Sequence, residues 1–254
     1  MIRVDINCDM EEALRFDRLN EQEEILDYLT SINIPCGFHA GNPHMICRML
    51  EIAFHRNINV GAHPGFPDPQ SFGRRLLNVS MKEAYEIVLY QVSALDGMAR
   101  ALGGELNHVK LHGALYLEAA ERPDLAEAVV QAVMDVNEDL VLYALSGSSL
   151  VQIALEHGLQ VAEEVFADRI YLPNGRLAPR EMEGSVMLKK DEIFQQATKL
   201  ITEQQVQTVD GGVIELTPDT ICIHRENVDT IAFLQELHEW AKRNDVSIEP
   251  INLR

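Results

Sequence analysis

The stretch SINIPCGFHAGNPHMICRMLEIAFHRNINVGA, residues 31–62, decides the fold class. It contains two short β-rich runs, SINIPC (31–36) and NINVGA (57–62), joined by a helical pattern from Pro43 to His55. Asn42 before Pro43 is typical of a helix N-cap followed by proline at the first helical position. A strand, a helix and a second strand in this order predict a parallel βαβ unit.

The same alternation continues along the chain. Eight runs are predicted strands: IRVDIN (2–7), SINIPC (31–36), NINVGA (57–62), LNHVKL (106–111), LVLYAL (140–145), LQVAEEV (159–165), TICIH (220–224) and DVSIEPI (245–251). Helices are predicted between them, at Glu21–Tyr28, Pro43–His55, Ser80–Leu102, Arg122–Val136, Ser148–His157, Lys190–Glu203 and Asn227–Asn244. Successive βα units predict a parallel, TIM-like (β/α) barrel with seven or eight strands, and such barrels run to about 250 residues as one domain. We therefore expect one domain over residues 1–254.

Two segments interrupt the alternation. In YLPNGRL (171–177), Asn174 and Gly175 predict a tight type I′ turn, and in TVDGGVIEL (208–216), residues 210–212 predict a second hairpin. Both are expected to be small excursions from the barrel.

Charge excludes several classes of partner. The chain has 21 Lys and Arg against 40 Asp and Glu, which gives a formal net charge of −19. Such a surface repels phosphate backbones and anionic lipid, so we expect neither nucleic acid nor membrane as a partner. The N-terminal sequence has no signal-peptide pattern, so the expected location is the cytoplasm. The sequence leaves homo-oligomer formation open.

Polar residues gather where the predicted strands end, which is where active sites of parallel α/β folds lie. They are Asn7, Asp9, Glu11 and Glu12 after the first strand, His39 after the second, His63, Asp68, Arg74 and Arg75 after the third, Lys110, His112 and Tyr116 after the fourth, Glu164, Asp168 and Arg169 after the sixth, and His224 after the seventh. This set suits hydrolysis of a small charged substrate, because imidazoles and carboxylates bind metals or transfer protons while cations stabilise anions.

Several single residues also have a purely structural interpretation. Asp9 could cap the first βα turn, His108 inside a strand is assigned a structural role, and Cys36 and Cys222 are expected to be buried packing residues rather than nucleophiles. The chain has no GxGxxG or GxxxxGK[ST] motif. Only GSS (147–149), at the start of a predicted helix, offers a weak phosphate-binding signal.

The motifs of the whole chain resemble those of the LamB/YcsF family. The likeness rests on VDINCD (4–9), NIPCGFHAGNP (33–43), VGAHPGFPD (60–68), FGRR (72–75), LYQVSAL (89–95), HVKLHGALY (108–116), EEVFADRIYLPNGRLAPR (163–180) and CIH (222–224). The resemblance implies a distorted (β/α) barrel related to glycoside hydrolase and deacetylase barrels. Characterised members of that family are A subunits of ATP-dependent 5-oxoprolinases, which act with separate B and C subunits to convert 5-oxo-L-proline, ATP and two waters to L-glutamate, ADP and phosphate.

The resemblance also implies a division of labour, in which ATP is handled largely by the partner subunits and a phosphorylated lactam is opened at this barrel's mouth. In this hypothesis the catalytic residues are Asp9, His39, His63, Lys110 and His112. The substrate-binding residues are Asn7, Glu12, Arg74, Tyr116, Glu164, Asp168, Arg169, Arg180 and His224. Asp9 with His39 or His63 would activate water, and Lys110, Arg74 and Arg180 would neutralise phosphate and carboxylate groups.

The sequence departs from the family pattern at the predicted mouth. After Asp9 the family has Gly-Glu-Gly, where this chain has Glu11, Glu12 and Ala13. The family's aspartate after HAG is Asn42 here, its proline between Lys and His is Leu111, and its asparagine after the tyrosine is Leu117. The family's HGD after the seventh strand reads His224, Arg225 and Glu226. These changes bear on the substrate more than on the fold. Two alternatives therefore stay open: a stand-alone amidase or deacetylase with a divalent metal on Asp9, His39 and His63, and a non-catalytic paralogue that binds a small acid.

Overall fold

The computed structural model describes residues 1–10, 23–224 and 229–251 of the chain. The strands within these residues are β1 (Ile2–Asp9), β2 (Ser31–Pro35), β3 (Asn59–His63), β4 (His108–Lys110), β5 (Val141–Leu145), β6 (Gln160–Phe166), β7 (Gln205–Gln207), β8 (Val213–Glu215), β9 (Thr220–Cys222) and β10 (Val246–Ile248). The α-helices are α1 (Pro43–His55), α2 (Met81–Ala101), α3 (Gly113–Glu121), α4 (Pro123–Val136), α5 (Ser149–Glu156), α6 (Lys190–Glu203) and α7 (Thr230–Arg243). No helix in these ranges has the length and apolar composition needed to cross a bilayer.

Seven strands close into a parallel barrel in the order β1, β2, β3, β4, β5, β6 and β9, with β9 pairing back to β1. The eighth parallel strand, β10, pairs only with the first residues of β1, Ile2–Val4, whereas β2 pairs with Asn7–Asp9. Because β1 divides its length between these two neighbours, the ring is distorted. The predicted TIM-like barrel of seven or eight strands is thereby confirmed.

Strand alternation gives this barrel a polar interior. On β1 the apolar residues Val4, Ile6 and Cys8 belong to the hydrophobic core, while Asp5 and Asn7 between them hydrogen-bond residues of other barrel strands. Successive side chains of a strand point to opposite faces, so one face of β1 packs against the helices and the other fills the barrel. The inward groups are buried, and each therefore needs a hydrogen-bond partner.

Helix starts follow the predicted capping chemistry. The Asn42 side chain accepts a hydrogen bond from the backbone N–H of Met45 at the start of α1. Ser80 and Glu83 form a capping box at the start of α2. The predicted helix over residues 21–28 begins outside the described residues, which show one helical turn ending in a 3₁₀ segment, Leu26–Tyr28. Helix α3 was not predicted.

The two excursions are present, but one turn differs from its prediction. Strands β7 and β8 pair antiparallel around residues 208–212, which confirms that hairpin. In the other excursion Tyr171 and Leu177 form an antiparallel bridge. Gly175 has a positive φ of 83°, whereas Asn174 does not, so the turn is not type I′. Pro173 before Asn174 favours a turn of ordinary hand with glycine in the left-handed position after it.

Candidate active site at the mouth of the barrel

Lys110 on β4 connects two buried carboxylates inside the barrel. Its Nζ lies 2.8 Å from Asp9 Oδ1 and 2.8 Å from Glu164 Oε1, with Asn7 Oδ1 at 3.2 Å and Cys222 Sγ at 3.0 Å. Burial acts to lower the pKa of Lys110, but the surrounding negative groups outweigh it and hold this pKa well above its usual value. An ammonium group has three N–H donors, and the protein's own acceptors engage them. Lys110 therefore orients the two carboxylates and keeps them ionised, and its role towards a substrate phosphate stays a prediction.

Glu164 on β6 belongs to the same network. It is fully buried, accepts from Asn7 Nδ2 at 2.9 Å and from the Tyr116 hydroxyl at 2.7 Å, and is paired with Lys110. Burial, together with the Glu164 charge, raises the pKa of Tyr116 well above its usual value, so the phenol stays a donor. Three of the predicted substrate-binding residues thus meet, and their hydrogen bonds fix the position of Lys110.

Asp9 stands at the upper end of this network, facing the mouth. Its Oδ1 accepts from Lys110 and from Asn33 Nδ2, both at 2.8 Å, while its Oδ2 faces His63 Nε2 at 3.4 Å and His224 Nε2 at 3.9 Å. Burial acts to raise the pKa of Asp9, but the His63 and Lys110 charges dominate and hold it well below its usual range. A carboxylate with so low a pKa is a weak proton acceptor at neutral pH, so Asp9 serves best as a fixed negative charge.

Three of the predicted histidines meet beside Asp9. His63 Nδ1 lies 2.7 Å from the carbonyl of Lys110, and its Nε2 lies 3.1 Å from His112 Nδ1. The His39 ring stacks on the His112 ring, with centroids 3.9 Å apart and planes 7° from parallel. Residues from three neighbouring strand ends therefore form one buried imidazole cluster.

His224 and Asp168 form a second imidazole site on the other side of Asp9. Asp168, fully buried, accepts from the backbone N–H of His224 at 3.0 Å, and both of its oxygens lie 3.1 Å from His224 Nδ1. Burial acts to raise the pKa of Asp168, but the His224 charge and hydrogen bonds dominate and lower it. The carboxylate therefore fixes a proton on Nδ1 and directs Nε2 towards Asp9, the arrangement of an oriented general base.

A cavity of about 410 Å³ opens above these groups. Asp9, His63, Lys110, His112 and His224 contribute to its polar end. Its wider lining includes leucines of α3 and of the loop after β6. The volume is ample for a five-membered lactam with an additional phosphate-sized group.

The predicted arginines divide into two roles. Arg169 is buried and donates through its guanidinium to the carbonyls of Ala178 and Ser185, so it holds the loop after β6 in place. Arg74, whose guanidinium lies 5.2 Å from the centre of the Phe72 ring, and Arg180 line the cavity nearer its rim. Arg169 also lines the cavity, but its hydrogen bonds go to the loop.

Among the described residues, two groups of donor atoms come within 4.8 Å of one another: His39 with His63 and His112, and Asp9 with Cys222 and His224. The predicted ligands Asp9 and His39 therefore fall into different groups. The first group does not fit one divalent ion. Imidazole lone pairs lie in the ring plane, so the parallel rings of His39 and His112 cannot direct theirs at one point. In the second group, Cys222 Sγ accepts a hydrogen bond from Lys110 Nζ at 3.0 Å.

Other predictions are settled by local contacts or lie outside the described ranges. The backbone N–H of Gly147 donates to Glu163 at 2.9 Å, so a carboxylate already occupies the weak phosphate-binding position. Burial raises the pKa of Cys36 to about 12, which confirms it as a packing residue. The predicted substrate-binding residue Glu12 and the departures Glu11, Ala13, Arg225 and Glu226 lie outside the described residues.

Sequence reasoning missed two members of the site. Asn33 donates to both Asn7 Oδ1 and Asp9 Oδ1, and Cys222 contacts Lys110. A polar residue at every second position of a strand was the available signal, since Asn33 aligns with Asp9 in the pairing of β1 and β2.

The chain is similar to known proteins over nearly its full length. The chain is 45% identical over 249 residues to the A subunit of 5-oxoprolinase from Tolumonas auensis, covering 98% of this chain and 99% of that one. It is 41% identical over 249 residues to the A subunit of 5-oxoprolinase from Geobacillus thermodenitrificans, with 98% and 97% covered. The crystal structure of a lactam utilization protein from Thermus thermophilus matches with a TM-score of 0.87 at 36% identity, covering 98% of this chain and all of that one. The model of the LamB/YcsF family matches residues 4–254, and the chain therefore belongs to the LamB/YcsF family.

Proposed function

We propose that this chain is the A subunit of an ATP-dependent 5-oxoprolinase, a hydrolase that opens the cyclic amide of 5-oxo-L-proline to L-glutamate together with separate B and C subunits. The observation that carries the proposal is the charged Asp9 carboxylate held between Lys110, His63 and His224 at the floor of a cavity. The relatives named as A subunits of 5-oxoprolinase supply the substrate class. Because the reaction consumes ATP, we also propose a cytoplasmic location.

The oriented His224 imidazole is the base of the proposed reaction. Its Nδ1 proton is fixed by Asp168, so Nε2 accepts a proton from a water bound between His224 and Asp9. The oxygen of that water adds to the lactam carbonyl carbon. This assignment replaces Asp9 as the base, because the low pKa of Asp9 makes it a poor acceptor. Asp9 instead stabilises the imidazolium that forms.

Coupling to ATP follows from the chemistry of the substrate. A five-membered lactam is an amide with little ring strain, so its carbonyl needs activation before water can add. Within the described ranges Glu163 occupies the one predicted phosphate-binding helix start. We therefore assign ATP binding mainly to the partner subunits, with Arg74 and Arg180 receiving the anionic groups of an activated lactam.

Release of glutamate from 5-oxo-L-proline tests the proposal. The purified chain is mixed with its B and C partners and ATP, and glutamate is measured with each component left out in turn. We expect turnover only in the complete mixture. Turnover by this chain alone, without ATP, would indicate the stand-alone amidase, and binding of the lactam without turnover in any mixture would indicate the non-catalytic paralogue.

Asp9→Asn gives the matched test of the site. The amide keeps the shape and the hydrogen bonds of Oδ1 but removes the charge, so we expect kcat to fall roughly 10²-fold or more. Asp139→Asn, on an exposed turn between α4 and β5, is the control and should leave kcat unchanged. Equal kcat values for the two variants would contradict the proposed site.

A further inference from the structure

Four residues lie side by side in one row across the first four strands of the barrel. Asp9 of β1 pairs with Asn33 of β2. Asn33 also pairs with Gly61 of β3, which in turn pairs with His108 of β4. Because paired residues of parallel strands point to the same face of the sheet, this row joins the Asp9 carboxylate to a histidine three strands away.

Gly61 lets that histidine reach across β3. A Cβ on Gly61 would lie 2.1 Å from His108 Nε2, which is closer than side chains tolerate. Since glycine has no Cβ, the imidazole extends over β3, and His108 Nε2 lies 2.7 Å from Asn33 Oδ1 on β2. The ring also stacks on Tyr143, with centroids 4.0 Å apart and planes 13° from parallel. Among the described residues, His108 Nδ1 has no hydrogen-bond partner, so the polar contact of this ring is directed at Asn33.

The contacts of Asn33 decide which way its amide faces. Its Nδ2 lies 2.8 Å from Asp9 Oδ1 and 2.8 Å from Asn7 Oδ1. A carboxylate oxygen only accepts, so the NH₂ group of Asn33 must face Asp9 and its carbonyl oxygen must face His108. His108 Nε2 therefore carries a proton and donates it to Asn33 Oδ1.

The donor on His108 keeps the Asn33 amide in this orientation. If the amide turned over, its NH₂ group would face the Nε2 proton, and its oxygen would face Asp9 Oδ1. Donor would then meet donor on one side, and acceptor would meet acceptor on the other. Both contacts are repulsive in a buried site, where no water replaces the lost hydrogen bonds.

The bond from Asn33 determines how the Asp9 carboxylate is rotated. Asp9 Oδ1 accepts from Asn33 and from Lys110, both at 2.8 Å. Two donors from different strands hold this oxygen inside the barrel. The other oxygen, Oδ2, then faces the cavity, with His224 Nε2 3.9 Å away.

We infer that His108 is a positioning residue, which acts through Asn33 to keep Asp9 Oδ2 directed at the water between Asp9 and His224. This inference rests on the proposed function, in which that water adds to the lactam. Neither His108 nor Asn33 lines the cavity, so their effect on the reaction passes through Asp9. Loss of the contact between His108 and Asn33 should therefore lower kcat and leave KM nearly unchanged.

The variants His108→Met and His108→Gln form a matched pair for this test in the complete mixture. Glutamine places an N–H donor the same number of bonds from Cβ as His108 Nε2, whereas methionine has a similar size and no donor. We expect kcat of His108→Met to fall roughly 10–10²-fold with little change in KM, and His108→Gln to retain most of the unaltered kcat. Equal kcat values for the two variants, or a change confined to KM, would overturn the inference.

Two further variants separate positioning from general damage to the barrel. In Gly61→Ala the new Cβ displaces His108 Nε2 from Asn33, so kcat should fall as it does in His108→Met. Tyr143→Phe keeps the ring that stacks on His108 and removes a hydroxyl that lies 3.2 Å from Ser31 Oγ. This control should lower Tm without lowering kcat. An equal fall of kcat in Tyr143→Phe would show that kcat follows stability, which contradicts the inference.

Crystal structures of the two His108 variants test the geometry without any activity measurement. We expect the Asp9 carboxylate to rotate in His108→Met and to keep its orientation in His108→Gln. An unchanged carboxylate in His108→Met would overturn the inference. An inactive unaltered complex would contradict the proposed function, and these two structures would still decide whether His108 positions Asp9.

Nuclear magnetic resonance of the unaltered chain labelled with ¹⁵N-histidine serves if His108→Met does not fold. Burial lowers the pKa of His108 to about 3, so at pH 7 its ring is neutral and carries one proton. We expect that proton on Nε2, as the contact with Asn33 requires. A proton on Nδ1 would overturn the inference, because Nε2 could then not donate to Asn33.

Discussion

Replacing Lys110 by methionine gives the sharpest test of the buried network. Lys110 is 2% exposed, and its ammonium contacts the Asp9 and Glu164 carboxylates at 2.8 Å each. The methionine fills similar space without charge, so both carboxylates lose their buried counter-ion. Removing one partner of a buried ion pair costs about 3–5 kcal/mol of unfolding free energy. For a chain of this length that loss corresponds to a fall in Tm of about 6–20 °C.

The difference in stability between the unaltered chain and Lys110→Met depends on pH. In the unaltered chain the lowered pKa of Asp9 means that its stabilising contribution is present above the unfolded pKa of 3.8 and is lost as the pH falls through the folded pKa. In Lys110→Met, Asp9 keeps the His63 and His224 charges that lower its pKa but loses the charge of Lys110, so its folded pKa moves back towards 3.8. The stabilising contribution that Asp9 makes above pH 3.8 is therefore smaller in the variant. We expect the difference in Tm between the two proteins to be larger at pH 7 than at pH 3.

The fluorescence of Trp240, the single tryptophan, follows both thermal unfolding, which gives the Tm, and urea unfolding, which gives the free energy of unfolding. Lys82→Met, on the exposed surface of α2, is the control and should change stability by less than about 0.5 kcal/mol. Adding Glu164→Gln to Lys110→Met removes one of the two orphaned charges and should recover about 1–3 kcal/mol. A loss below about 1 kcal/mol in Lys110→Met, or one that does not change with pH, would refute the reasoning.

Three further substitutions probe the barrel interior and the loop above it. Gly61→Ala puts a Cβ 2.1 Å from the His108 ring, so urea unfolding should show a loss of about 1–3 kcal/mol that His108→Ala partly restores. Tyr116→Phe removes the hydroxyl donor to Glu164, and the same measurement should show a loss of about 1–3 kcal/mol. Arg169→Lys removes the forked contacts to two loop carbonyls, so amide exchange in residues 168–186 should become faster while exchange in β1 stays the same.

The barrel was predictable because each strand and helix carries its own local signal. The predicted β-rich runs and the Asn42 cap before Pro43 reappear in the structure. Helix α3 was missed because it begins at Gly113, directly after the polar end of β4, with no conventional capping residue before it. The predicted type I′ turn failed for a related reason, since Pro173 before Asn174 determined the local backbone.

The sequence predicted which residues form the site better than it predicted what each residue does there. Strand-end position brought Asp9, His63, Lys110 and His112 together, as expected for a parallel barrel. The role of a residue depends on which of its atoms contacts which neighbouring atom, and the spacing of residues along the strands does not give these contacts. Gly61 is an example: a glycine so near His63 could let a ligand approach the backbone, but the ring of His108 fills the space beside it.

The cationic side chains at the floor of the cavity and those at its rim have different contacts. The chain has a net charge of −19, and the described cations at the floor of the cavity are already engaged, Lys110 by two carboxylates and Arg169 by loop carbonyls. Such a floor gives no net attraction to an anionic substrate. The attraction must therefore come from the rim, where Arg74 and Arg180 line the cavity. We expect substitutions at these two arginines to raise KM chiefly, whereas those at the floor lower kcat, so the two classes of variant distinguish binding from chemistry.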